Sequence, residues 1–229
     1  VETAVAVGGL AIVGYRRVVK PWHERWGATD EELLLPLPGD DLVAEPADQV
    51  TRAVTIAAEP EDVWPWLVQI GADRAGFYSY DWLENLFGLG IHSADDVVEA
   101  WQQREVGDVV YANRAGTGGW CVMDLRPNEA LVLATANMAE NRPLRRDEQL
   151  RWEFLWTFAL RRAPAGGTRL LVRERTGFGS AATRALLSPL GPVSFIMSRR
   201  MMLGIKARAE AAAGTPEPHQ ADEPDEAGR

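Results

Sequence analysis

The most regular run of hydrophobic and polar positions lies at 152–161, where Trp152, Phe154, Trp156, Phe158 and Leu160 alternate with Glu153, Leu155, Thr157, Ala159 and Arg161. A period of two belongs to a strand, and here it carries one aromatic face that must be covered. Shorter β-rich segments are TRAVTIAA from Thr51, DVVYA from Asp108, WCVMDL from Trp120, ALVLATA from Ala130 and TRLLVRERT from Thr168. In the last of these Arg169, Arg173 and Arg175 share a face, with Leu170, Val172 and Glu174 on the other, which predicts a wet arginine face. The connections RPNE and APAGG are turn chemistry, GTGG at 116–119 reads as a hairpin turn, and no helix-length crossover separates these strands. The sheet is therefore expected to be antiparallel.

Helices are indicated in three places. Pro60 with Glu61 and Asp62 opens a helix whose Val63, Leu67 and Ile70 recur at helical intervals, and acidic groups in a first turn suit the helix dipole. Residues 80–87, YDWLENLF, predict a second short helix stopped by Gly88. From about Pro192 to Ala213 a stripe of Phe195, Ser198, Met202, Ile205 and Ala209 predicts a long helix laid over the sheet. The fold class read from these patterns is α+β: an antiparallel sheet covered by a long C-terminal helix, with two short helices after the first strand.

The ends differ from this core. Residues 3–15 are uncharged and apolar, and Arg16, Arg17 and Lys20 follow them. Thirteen helical residues reach only about 20 Å, short of a hydrocarbon core of roughly 30 Å, so a span would need Val18, Val19 and snorkelling basic side chains. Basic residues after the run, rather than before it, disfavour a cleaved signal and would keep the domain on the cytoplasmic side. The expectation is a membrane anchor in residues 1–26, with membrane association through residues 1–20; a helix lying on the domain is the alternative, and without an anchor the chain is expected to be cytoplasmic. Residues 27–49 read as an extended lead-in, 50–213 as the domain, and the proline-rich acidic stretch 214–229 as a disordered tail.

Composition narrows the function classes. A chain of 229 residues with 46% hydrophobic residues can bury a substantial core without staples. A formal net charge of -9 argues against nucleic acid as a partner. The single cysteine, Cys121, excludes a disulfide framework and multi-thiolate metal sites. Phosphate-binding glycine loops, GxSxG, HExxH and metal-ligand spacing are all absent from the sequence, so no metal or other cofactor is expected.

The segments TRAVTIAAEPEDVWPWLVQIG, GFYSYDWLENLFG, IHSADD, TRLLVRER and FIMSRRMMLGIKARAE together resemble the START-related superfamily (SRPBCC), in particular its polyketide cyclase/dehydrase-like and lipid-transport-like subgroup. The resemblance covers about 22–210, and GFYSYDWLENLFG with IHSADD is its most specific part. It implies the helix-grip fold, with the sheet wrapped around the last helix and an internal cavity, and an apolar N-terminal segment is common in the subgroup. It brings no defined catalytic residues, and the superfamily holds carriers, cyclases, hormone-binding proteins and chaperone partners on one scaffold.

Aromatic and titratable groups concentrate at Tyr78, Tyr80, Trp82 and His92, a composition suited to a pocket mouth. Trp120, Trp152, Trp156 and Glu174 lie on predicted strands and would supply its wall and one polar floor group. His92 and Glu174 are the candidates for acid/base chemistry if the protein is an enzyme. The expected function is binding of a hydrophobic small molecule, such as a lipid or polyketide, in an internal cavity. A cyclase/dehydratase-type enzyme is the alternative, and a regulatory or chaperone-partner module binding protein is the third reading.

Overall fold

The computed structural model describes residues 15–143 and 152–214. The apolar run at 3–14 and the acidic tail beyond Gly214, and with them the expected span and disordered tail, lie outside the described residues. Among the described residues no helix is long and apolar enough to cross a membrane.

After a π-helical turn at Tyr15–Val19 come α1 (Lys20–Glu24), α2 (Asp30–Leu34), β1 (Asp48–Ile56), α3 (Pro60–Val68) and α4 (Asp81–Leu86). Strands β2 (Val109–Tyr111), β3 (Gly119–Arg126), β4 (Ala130–Asn137), β5 (Arg142–Pro143), β6 (Trp152–Arg162) and β7 (Thr168–Phe178) follow, then α5 (Ala181–Leu187) and α6 (Gly191–Ala213). The sheet order is β1-β7-β6-β4-β3-β2, with β5 paired to β4, and every pairing is antiparallel. The first strand closes on the last, Thr51 opposite Arg173. The long α6 lies across one face. This is the α+β helix-grip-like architecture expected from the alternation at 152–161 and the stripe at 195–209.

The helix face of the sheet carries the main core. Phe158 and Leu160 of β6, Leu170 and Val172 of β7, and Leu131 and Leu133 of β4 pack with Val63, Trp66 and Leu67 of α3 and with Met202, Ile205 and Ala209 of α6. Burial of this apolar surface is the main driving force for the sheet-on-helix arrangement. The buried stripe of α6 also takes in Met201 and Gly204. A Cβ on Gly204 would stand 2.4 Å from the carbonyl oxygen of Tyr78, so only glycine lets α6 approach this closely.

Two expectations about the opposite, outer face are corrected. The lead-in at 27–49 is not merely extended. Thr29 and Glu32 form a reciprocal capping box that nucleates α2, and the strap then places Leu37 against Ala53, Ala159 and Leu171 and Val43 against Val132 and Leu155. The arginine face is likewise not wet, because the strap covers it. Arg173 is 1% exposed, and its guanidinium donates to Thr51 Oγ1 at 2.9 Å, Asp40 Oδ2 at 2.7 Å and the carbonyls of Glu32, Leu33 and Leu35 at 3.0, 3.1 and 2.8 Å. Those carbonyls end α2, where a helix leaves acceptors unfilled and favours a cation. Arg169 grips Glu32 through two bonds at 2.7 and 2.8 Å, and Arg175 donates to the carbonyls of Val43 and Ala44, each at 3.0 Å. Arg169, Arg173 and Arg175, all on one face of β7, thus hold successive parts of the strap. A period-two pattern identifies the face but not what lies over it.

Candidate functional site

Between the sheet and α6 lies a cavity of about 300 Å³. Its sheet wall is Trp120 of β3, Phe154 and Trp156 of β6 and Glu174 of β7; α6 contributes Ser194, Met197, Ser198 and Met201. The third side is the segment around α4, through Phe77, Ser79, Glu84, Leu89 and Ile91. Alternation along β6 sends Phe154 and Trp156 to this side and Leu155 and Thr157 to the strap. The aromatic wall is contiguous: ring centroids are 5.3 Å apart for Trp120–Trp156, 6.0 Å for Phe77–Trp120 and 6.2 Å for Phe154–Trp156.

Glu174 is the polar floor of the cavity, and it is fully engaged. Its Oε1 accepts from Arg52 Nη1 at 2.7 Å and from Ser198 Oγ at 2.8 Å, and Oε2 accepts from Ser194 Oγ at 3.4 Å. Arg52 is buried too, donating from Nε to the His23 carbonyl at 2.9 Å and lying 5.5 Å from the Phe195 ring centroid. His23 stacks on the same ring with centroids 4.9 Å apart, which docks α1 against α6. Burial and the charge of Arg52 hold the His23 imidazole below its ordinary pKa, so it sits there neutral near pH 7.

Glu84 was not singled out by the sequence, yet it is the more unusual carboxylate. It is 2% exposed and lines the cavity. Its Oε2 has no hydrogen-bond partner among the described residues. Burial, aided by repulsion from Asp81, pushes its carboxyl up to about 7. The same helix turns Trp82, at 69% exposed, Leu86 and Phe87 outward, so α4 is inverted relative to an ordinary amphipathic helix, its acid inside and its apolar residues outside. A six-residue helix offers too few turns for a pattern argument, which hid this from the sequence. Trp156 Nε1–H likewise has no partner among the described residues.

Of the residues expected at the site, the cavity takes in Trp120, Trp156 and Glu174 and leaves out Tyr78, Tyr80, Trp82, His92 and Trp152. Tyr78 is a buried pin. Its hydroxyl receives a bond from Gln69 Nε2 at 2.9 Å and donates to the Trp66 carbonyl at 3.1 Å, its φ is 55°, and burial raises its phenol pKa. Tyr80 is half-buried beneath Arg200, whose guanidinium carbon is 5.7 Å from the ring centroid. Trp152 is exposed near one end of β6. The His92 side chain is 85% exposed, its Nδ1 3.7 Å from Asp81 Oδ2, so it cannot serve as an acid or base inside the cavity.

The motif that carries the family resemblance is largely a device for holding the loop after α4. Asn85 and Ile91 exchange two bonds, from Nδ2 to the Ile91 carbonyl at 2.8 Å and from the Ile91 N–H to Oδ1 at 2.7 Å. Asp81 accepts from the Ser93 N–H at 2.7 Å and from Ser93 Oγ at 2.6 Å. Gln69, fully buried, ties the far end of this loop by accepting from the Val98 N–H at 3.0 Å. These bonds place Glu84, Leu89 and Ile91 on the cavity wall. Among the described residues no group of acidic, histidine or cysteine side chains is placed to hold a metal ion.

No family model and no curated protein matches the chain. Solved structures do. A Mesorhizobium loti protein is 16% identical over 72% of this chain and 98% of its own, with a TM-score of 0.41. An Arthrobacter aurescens protein is 16% identical over 76% and 93%, with a TM-score of 0.41. A Rhodobacter sphaeroides protein is 14% identical over 72% and 93%, with a TM-score of 0.44. Likeness at this level carries neither ligand nor reaction to this chain.

Proposed function

We propose that this chain is a START-related, helix-grip binding protein that holds an apolar small molecule between its sheet and its last helix. The observation that carries the reading is the cavity itself: about 300 Å³, walled by aromatic, aliphatic and methionine side chains, with polar groups at few points. That is the composition of a small-molecule site, at the lower end of the roughly 300–1,000 Å³ such sites occupy. The size suits a compact ligand better than a two-chain lipid. Native mass spectrometry of the full chain, purified under mild conditions from its native host, followed by denaturing extraction, is the test. A stoichiometric apolar passenger is expected. An empty chain that also takes up no neutral lipophilic dye would replace this reading with a protein-interaction role.

Tethering to a membrane through residues 1–20 belongs to the same proposal. It is supported by the uncharged run at 3–15 and by Val18, Val19 and Trp22, which remain exposed beyond it. An apolar ligand partitions into the bilayer, so a tether would shorten its passage through water. Full-length protein is expected to float with phosphatidylcholine vesicles; a chain left wholly in the aqueous fraction would remove the tether.

The enzyme alternative of cyclase or dehydratase type now has a different acid. His92 is outside the cavity and Glu174 is held by Arg52, whereas Glu84, with a pKa near neutrality in an apolar surround, has the setting of a general acid or base. An activity on a polyketide-like chain that survives Glu84→Gln would exclude that role.

A further inference from the structure

Among the described residues the cavity carries charge of one sign only. Glu84 and Glu174 line it, and no described Lys, Arg or His does. Arg52, behind the wall, neutralises Glu174 at 2.7 Å, but no described residue answers Glu84. The charged group acting on its carboxyl is Asp81 of the same helix, and that interaction is repulsive. From the elements packed around the cavity, β3 and β6 present Trp and Phe, α6 presents Ser and Met, and β7 presents the already paired Glu174. Native proteins seldom leave a buried carboxyl bare, because its desolvation goes uncompensated. Beside it stands the wall of Phe77, Trp120, Phe154 and Trp156, whose ring faces are electron-rich and attract cations when water is excluded.

We infer that the cavity selects a lipophilic cation, an apolar body bearing one amine or quaternary ammonium, whose charge is met by the Glu84 carboxylate and the faces of the aromatic wall. The inference rests on the binding reading above and gives it a ligand class. A carboxylate, phosphate or sulfate in the same place would face two acids and, among the described residues, no base on the cavity wall. A neutral alcohol would fill the apolar volume but leave the Glu84 charge unanswered.

Calorimetric titration of the full chain at pH 8 with hexyltrimethylammonium, hexanol and hexanoate tests this, since the three share one apolar body. The ammonium is expected to bind about tenfold or more tighter than the alcohol, and the hexanoate weakest. Glu84→Gln, which keeps the side-chain shape, should bring the ammonium down to the affinity of the alcohol while leaving the alcohol unchanged. The wild-type affinity for the ammonium, whose own charge does not titrate, should fall about tenfold from pH 8 to pH 6 as Glu84 takes up its proton. Hexanoate binding as tightly as the ammonium, or an ammonium affinity indifferent to Glu84→Gln, overturns the inference and leaves the binding reading standing. No binding of any of the three at millimolar concentration removes both.

Discussion

The two faces of the sheet treat buried charge in opposite ways. On the outer face Arg173 is 1% exposed, and its guanidinium makes five hydrogen bonds to the strap, the end of α2 and β1. On the helix face Glu84 is equally buried, yet one of its oxygens has no partner among the described residues. The desolvation cost is of the same kind at each, and of the two it is Arg173 whose cost is offset from within the described residues. The outer face leaves Asp40 Oδ1 without a hydrogen bond, but with the Arg175 guanidinium 3.3 Å away. On the helix face the unpartnered Glu84 oxygen stands beside a cavity in the packing, which is the coincidence on which the proposed binding role rests.

The largest effect should come from breaking the network on the outer face. Arg173→Met takes from Asp40 one of its partners, leaving it the Leu37 N–H and the Arg175 charge, and strips three carbonyls of this donor; a loss of about 3–5 kcal/mol is expected, or roughly 10 °C in melting temperature. Differential scanning calorimetry measures it; a loss under about 1 kcal/mol would show that the strap does not depend on this arginine. Ligand affinity below the transition should be unchanged, since the cavity lies on the other side of the sheet.

The paired acid of the cavity sharpens the contrast with the unpaired one. Arg52→Met leaves Glu174 buried without its cation and should cost about 3 kcal/mol, most of which Arg52→Met with Glu174→Gln should restore. Urea midpoints of the two variants decide this, and a double variant no better than the single one would mean that Arg52 acts through packing on Phe195 and not through its charge.

Glu84 should behave in the reverse sense. Its folded pKa of about 7 lies above the ordinary carboxyl value of 4.5, so the folded state binds the proton more tightly than the unfolded one. The stability of the wild type relative to Glu84→Gln is then greatest below pH 4.5, declines as pH rises, and levels off above 7, with a total change of about 2–3 kcal/mol. Guanidinium unfolding of both proteins at pH 4.5, 6 and 8 gives the difference, and a difference independent of pH would contradict the burial of an unpaired carboxyl.

The smallest effect belongs to the rim of the strap. Hydrogen bonding to Arg169 holds the Glu32 carboxyl below its usual pKa, so its contribution is present above pH 4.5 and disappears as pH falls through the lowered value. Glu32→Gln should cost about 1 kcal/mol at pH 7 and less near pH 3. Thermal melts at the two pH values test it, and equal losses at both would assign the effect to the capping box with Thr29 instead of to the charge.

What could be read from sequence follows from periodicity. The alternation at 152–161, the stripe at 195–209 and the turn-linked β segments determined an antiparallel sheet under a long helix, because strands and helices repeat at two and 3.6 residues and bury one face each. The same alternation placed Trp156 and Glu174 on the inward side of β6 and β7. Neither the strap nor α4 has such a signal. Residues 27–49 are interrupted by Pro36, Pro38 and Pro46, and their fit to the arginine face joins β7 to residues more than a hundred positions earlier. α4 is too short to display a period, and with Glu84 inward and Trp82, Leu86 and Phe87 outward it contradicts the polarity a pattern would assume.

Composition also drew attention to His92 and Tyr78, which chemistry favours but geometry sends elsewhere, one ring to solvent and one hydroxyl to the Trp66 carbonyl. By itself, then, the sequence determined the elements, their order and the faces of the long strands, all of which depend on neighbours within a few residues. Which faces are covered, which buried charges are answered and where a cavity remains were decided only by the tertiary structure, because those properties depend on segments that meet across the sheet and leave no periodic trace in the chain.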